Sequence, residues 1–143
     1  MNTNSKTTQM EDMKAKLSTL WIFLLFNMVF ADIFSFMYPG SLQQIMTGIV
    51  EGTQIKITPE FLLIAAIVTE ISIAMVFLSR LLKYGANRWV NIIGGVITTL
   101  WVIGGGSPTL HYIFIATVEV VCALFIIWLA WKWRPEAAPA VGS

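Results

Sequence analysis

The sequence predicts an all-α integral membrane protein, a four-transmembrane-helix bundle with a short amphipathic outer helix between helices 1 and 2. Three observations carry that prediction. Of 143 residues, 57% are hydrophobic and only 12% charged, which lies outside the usual composition of soluble globular domains. Apolar stretches recur at about 17–38, 59–82, 89–106 and 111–133, each about long enough to cross a core of roughly 30 Å at ~1.5 Å per residue. The basic residues are also one-sided: Lys6, Lys14, Lys16, Arg80, Lys83, Arg88, Lys132 and Arg134 fall on one face and Lys56 alone on the other. That bias predicts cytoplasmic N- and C-termini. Trp21, Trp89, Trp128, Trp131 and Trp133 cluster near the same face, as an interfacial aromatic belt would.

The elements follow in order. Residues 1–10 are polar and read as a flexible cytoplasmic N-terminus, with Met10 to Lys16 extending the first helix. The first span is too long for a secretory h-region and no small-x-small cleavage site follows it, so it reads as a retained helix. Pro39-Gly40 stops it. Leu42, Ile45, Met46, Ile49 and Val50 then recur at helical spacing, with Ser41 and Gln44 in a capping-box pattern and Glu51-Gly52 at the end. This outer segment reads either as a lid over the bundle or as a plain interfacial connector. Thr58-Pro59 should open the second span, Thr58 as N-cap and Pro59 in the first turn. Lys83 to Arg88 reads as a tight basic turn and Gly104 to Thr109 as the last link. Short links make neighbours antiparallel, so residues 11–134 form one membrane domain and 135–143 a flexible cytoplasmic tail.

Three carboxylic acids lie in the interior of these spans, Asp32, Glu70 and Glu119, while Arg80 and Lys132 stand only at span ends. An acid at the centre of a membrane helix costs roughly 2.5–3.5 kcal/mol even on the translocon scale, so each one demands a reason. Helical rise places Asp32, Glu119 and Glu70 at depths of about 9, 12 and 16 Å below the outer boundary. One layer of acids converging inward, in a pocket opening to the outer face, is the expected arrangement. Trp101 would supply a wall and an indole N–H; Asn27, Thr69, Thr98 and Thr99 are further polar candidates; His111 stands at the outer mouth, as a proton handler or a polar anchor. The competing reading makes the acids hydrogen-bonding glue between helices. Asn91 reads as a helix-packing contact and Cys122, the single cysteine, as an inert buried thiol. No His/Cys cluster suggests a metal, no catalytic motif is present, and no basic patch with interleaved aromatics suggests nucleic acid.

Thr69-Glu70-Ile71 followed by Arg80, the amphipathic segment after span one, and the acid in span four together resemble the DoxX-like superfamily of small four-helix membrane proteins over residues 14 to 133. The stretches KLSTLWIFLLFNMVFADIFSFMYPG, VIGGGSP and HYIFIATVEVVCALFIIWLAWKW look closer still to uncharacterised bacterial proteins known only as a domain of unknown function. The DoxX-like resemblance implies a multi-pass protein of the bacterial inner membrane with a quinone-linked or thiol-stress role, Asp32 and Glu119 being the weaker residues to carry over and Glu70 the first. The superfamily's Gly-Gly pair after that Glu is Ser72-Ile73 here.

Three functions fit this reading. The first is binding of a small lipophilic or cationic molecule, quinone-like or lipid-like, in the acidic pocket. The second is a proton- or cation-coupled small transporter, and the third an accessory subunit or assembly factor for another membrane protein. Membrane lipids are partners in every case, and the oligomeric state is left open.

Overall fold

The computed structural model describes residues 3–50 and 53–134, which form five helices: α1 (Thr3–Met37), α2 (Ser41–Met46), α3 (Pro59–Leu81), α4 (Tyr84–Gly104) and α5 (Leu110–Lys132). No strand occurs among these residues; Ile49 and Lys56 make one isolated antiparallel bridge. The expected stop at Glu51-Gly52 and the tail 135–143 lie outside the described residues. α1, α3 and α5 are long and apolar enough to cross a membrane.

α1 begins at Thr3 rather than near Met10, because no Gly or Pro interrupts the chain from there to Met37. Pro39-Gly40 ends it as expected: Ser41 N–H bonds to Tyr38 O at 3.1 Å and Gly40 takes a left-handed φ of 89°. α2 is shorter than its apolar stripe suggested. The capping box does not form, since Gly40 is the N-cap and no side chain caps it. Gly48, at φ 76°, turns the chain after Met46, and Ile49 and Val50 enter a small hairpin instead. There Val50 N–H bonds to Ile55 O at 2.9 Å and Ile57 N–H to Gly48 O at 2.8 Å. α3 starts as the sequence indicated, with Thr58 Oγ1 accepting from Phe61 N–H at 3.2 Å and Pro59 in the first turn.

The expected turn over Lys83–Arg88 is a correction. Only Leu82 and Lys83 link α3 to α4. Asn87 N–H bonds to Lys83 O at 2.9 Å, and its side-chain amide donates to Ser79 O at 2.7 Å, which ties the first turn of α4 to the end of α3. α4 packs against α3 and α5, and α1 against α3 and α5, so the four long helices close a circuit.

The two ends of the bundle differ. Near the start of α1 the interior is solid, built on Leu17, Trp21, Leu24, Met75, Cys122, Ala123, Ile126 and Trp133. Gly94 lets Trp21 and Met75 in: a Cβ there would stand 3.3 Å from Met75 Cγ and 3.4 Å from Trp21 Cζ2. A buried polar network runs through this end. Trp21 Nε1 and Ser79 Oγ donate to Asn91 Oδ1 at 2.8 and 3.1 Å, and Asn91 Nδ2 donates to Asn87 Oδ1 at 2.6 Å. The side-chain amides of Asn87 and Asn91 and their donors are thereby satisfied. Asn91 is the packing contact that its position suggested. The opposite end, where α1 stops and α3 starts, is hollow.

Candidate functional site: an acidic, aromatic-walled cavity

All four long helices line a cavity of ≈ 240 Å³ at the hollow end. α1 contributes Met28, Ala31 and Asp32; α3 contributes Phe61, Ala65 and Thr69; α4 contributes Trp101 and Val102; α5 contributes Tyr112 and Glu119. Val50 of the hairpin and Gly105 complete the lining. The spacings explain the assembly. Asp32 is one turn beyond Met28, Thr69 one turn beyond Ala65 and two beyond Phe61, and Glu119 two turns beyond Tyr112, so each helix presents one face. Phe61 and Trp101 meet with ring centroids 5.7 Å apart. The Tyr112 hydroxyl donates to Val102 O at 3.2 Å.

Glu119 is the most confined acid in this space. It is 2% exposed, and its Oε1 has no hydrogen-bond partner. Asp32 is exposed and stands at the rim of the same cavity. Among the described residues no Lys or Arg lines it. Among the described residues a second buried side-chain atom without a partner is Arg88 Nε, at the opposite end, where the guanidinium lies 5.3 Å from the centroid of the Trp131 ring.

The remaining candidates separate. Glu70 does not converge with the other acids: it is exposed on the outer face of α3, beside Leu63 at 62%, Ile67 at 52% and Phe77 at 65% exposure. One layer of three inward acids is therefore replaced by two acids inside and one outside. The side of α3 turned inward is instead Val68, Ser72, Met75 and Ser79. Asn27 is half-buried and its amide donates to Phe23 O at 2.8 Å on its own helix. Thr98 is fully buried and shares a hydrogen bond with Ser72 Oγ at 3.1 Å, outside the lining. His111 Nε2 lies 3.4 Å from both Ser35 Oγ and Thr109 Oγ1, with Tyr38's ring centroid 5.7 Å away, also outside the lining. Among the described residues no group of three or more His, Cys, Asp and Glu is placed to hold a metal ion.

Residues 7–139 match DUF6326, a family of unknown function. The chain belongs to that family. The match takes in every residue that lines the cavity of this DUF6326 chain. No curated protein and no solved structure matches it.

Sequence reasoning passed over Phe61 and Tyr112 in this DUF6326 chain. Tyr112 carried a signal, since it lies seven residues before Glu119 and therefore on the same helix face. The outer segment, which reads as a lid or as a plain interfacial connector, divides between the hairpin and α2. Its Val50 reaches the cavity, whereas α2 leaves Leu42 at 61% and Met46 at 87% exposure, turned away from the bundle.

Chemically, the cavity offers two carboxyl groups, three aromatic side chains and a Thr, with no built-in cation. A carboxylate in a low-dielectric space attracts positive charge far more strongly than in water, and aromatic rings add a cation–π attraction of about 0.5–2 kcal/mol each.

Proposed function

We propose that this protein is a four-spanning membrane protein whose cavity binds a small organic cation, with Glu119 as the principal anion, Asp32 as the second, and Phe61, Trp101 and Tyr112 as the aromatic wall. The observation that carries this reading is the buried carboxyl of Glu119, whose Oε1 lacks a partner in a space that holds a second acid and no Lys or Arg. A quaternary or protonated amine would supply the missing charge and fill the aromatic box; burying the acid there with no such partner is a cost that packing alone does not require.

The fourth span is α4. Its polar residues lower its mean hydropathy, yet Asn87, Asn91 and Thr98 are fully buried against the bundle. The side it turns outward is apolar, with Ile93 at 54%, Leu100 at 66% and Ile103 at 68% exposure. A helix polar on its packed side and apolar on its outer side suits lipid surroundings. With four spans the positive-inside bias then sets both termini in the cytoplasm and the cavity toward the opposite face.

The test is a calorimetric titration of tetramethylammonium into the full chain held in lipid nanodiscs. Truncating a buried charged partner of this kind costs on the order of 2 kcal/mol or more, about thirtyfold in affinity. Glu119→Gln should therefore weaken binding by about thirtyfold and Asp32→Asn by less. Glu70→Gln, outside the cavity, should leave it unchanged. Equal binding by wild type and Glu119→Gln, or none by either, would sink the reading.

A further inference from the structure

An apolar groove of ≈ 550 Å³ lies between α4 and α5 on the outside of the bundle. Val102 and Tyr112 line both this groove and the acidic cavity, so the two spaces meet at those side chains. From Tyr112 to Val121 the groove follows α5 for about 14 Å at ~1.5 Å per residue. Its flanks are open, with Ile103 at 68%, Ile113 at 51% and Val121 at 62% exposure. Its hydroxyls are already committed: Thr117 Oγ1 donates to Ile113 O at 2.7 Å, Thr53 Oγ1 to Val50 O at 2.9 Å, and Ser107 Oγ to Thr109 Oγ1 at 3.4 Å. A hydrocarbon chain laid along it leaves no donor stranded.

We propose that the ligand is a single-chain cationic amphiphile, with its head group beside Glu119 and Asp32 and its tail leaving past Tyr112 into the α4–α5 groove. The proposal rests on the organic-cation reading and adds the class of molecule and the path of its tail. Size argues for it. A cavity of ≈ 240 Å³ holds a head group but not a long chain as well, and the groove is an apolar space that shares Val102 and Tyr112 with it. Gly106 belongs to the same arrangement, because a Cβ there would collide with the Tyr112 ring that divides the two spaces. Lipid tails are as apolar as the groove, so the groove fixes where the tail lies more than how tightly the molecule binds. Position, not affinity, is therefore the readout.

The probe is an alkyltrimethylammonium carrying a photoreactive diazirine at mid-chain, with the full chain in nanodiscs and the labelled residues located by peptide mass spectrometry. Labels should concentrate on Ile103, Ile113, Thr117 and Val121, and excess tetramethylammonium should remove them. Ala116 lines the groove and is not among the residues that line the cavity, so Ala116→Leu should lose the labels while still binding tetramethylammonium. Val121→Phe, at an exposed site at the far end, serves if Ala116→Leu does not fold, and should displace the labels toward Ile113. Labels spread evenly over outer residues such as Leu63 and Phe77, or labels indifferent to competitor and groove variants, overturn the amphiphile proposal while tetramethylammonium binding keeps the cavity reading. No binding of tetramethylammonium overturns both.

Discussion

Glu119 and Glu70 occupy opposite surroundings, one 2% exposed inside the bundle and the other on an outer face of leucine, isoleucine and phenylalanine side chains. A carboxyl turned toward lipid is costly, so Glu70→Leu should raise the thermal midpoint in nanodiscs while leaving tetramethylammonium binding intact; a lower midpoint would mean that Glu70 has a partner. Asn91 is a different kind of polar residue, the hub at which Trp21, Ser79 and Asn87 meet. Asn91→Leu leaves Trp21 Nε1 and Ser79 Oγ without an acceptor, and should cost about 1–3 kcal/mol, measured as a shift in the denaturation midpoint; no shift would show that the two donors find other acceptors. The positions of the acids were legible in the sequence, and so was the packing role of Asn91. Which way Glu70 points was not. The neighbours Ala66, Ile67, Ile73 and Ala74 suit a cavity wall and a lipid-facing surface equally well, and the choice is made by Val68, Ser72, Met75 and Ser79, whose face meets the other helices.

Among the elements, α4 and α5 are matched most closely at Gly95, where a Cβ would come within 2.7 Å of Ile127 Cγ1. Gly95→Ala should therefore overpack the contact and destabilise the protein by about 1–3 kcal/mol, and Ile127→Ala in the same chain should recover part of that loss in the same denaturation experiment. Failure of the second change to help would place the damage elsewhere. The start of α3 was legible to the residue at Thr58-Pro59 because a cap and a first-turn proline are local signals. The end of α2 was less so. Its apolar spacing continues through Ile49 and Val50, but Gly48 takes a left-handed φ and breaks the helix two turns after Gly40. The start of α4 was misread because Lys83 to Arg88 has the composition of a turn, and the bond that ties its first turn to α3, from the Asn87 side-chain amide to Ser79 O, depends on the register of α4 against α3.

At the scale of the molecule, the number of membrane crossings separates the four-span arrangement from one in which only α1, α3 and α5 cross. In a Cys122→Ser background, Lys83→Cys should react with an impermeant maleimide from the cytoplasmic side, and Pro108→Cys and Lys56→Cys from the other. Labelling of Lys83→Cys and Pro108→Cys from one side would remove α4 from the spans and overturn the arrangement. The short link between α3 and α4 bears on how such a chain enters a membrane. Leu82 and Lys83 hold the two helices side by side from the moment both exist, and α4's buried amides and hydroxyl find Ser79 and Ser72 on α3. α4 alone would lose the partners that α3 supplies to those groups. In the proposed four-span arrangement the unit to be released into the membrane would be the α3–α4 hairpin, whose Asn91 Oδ1 receives Trp21 Nε1 only when the hairpin meets α1.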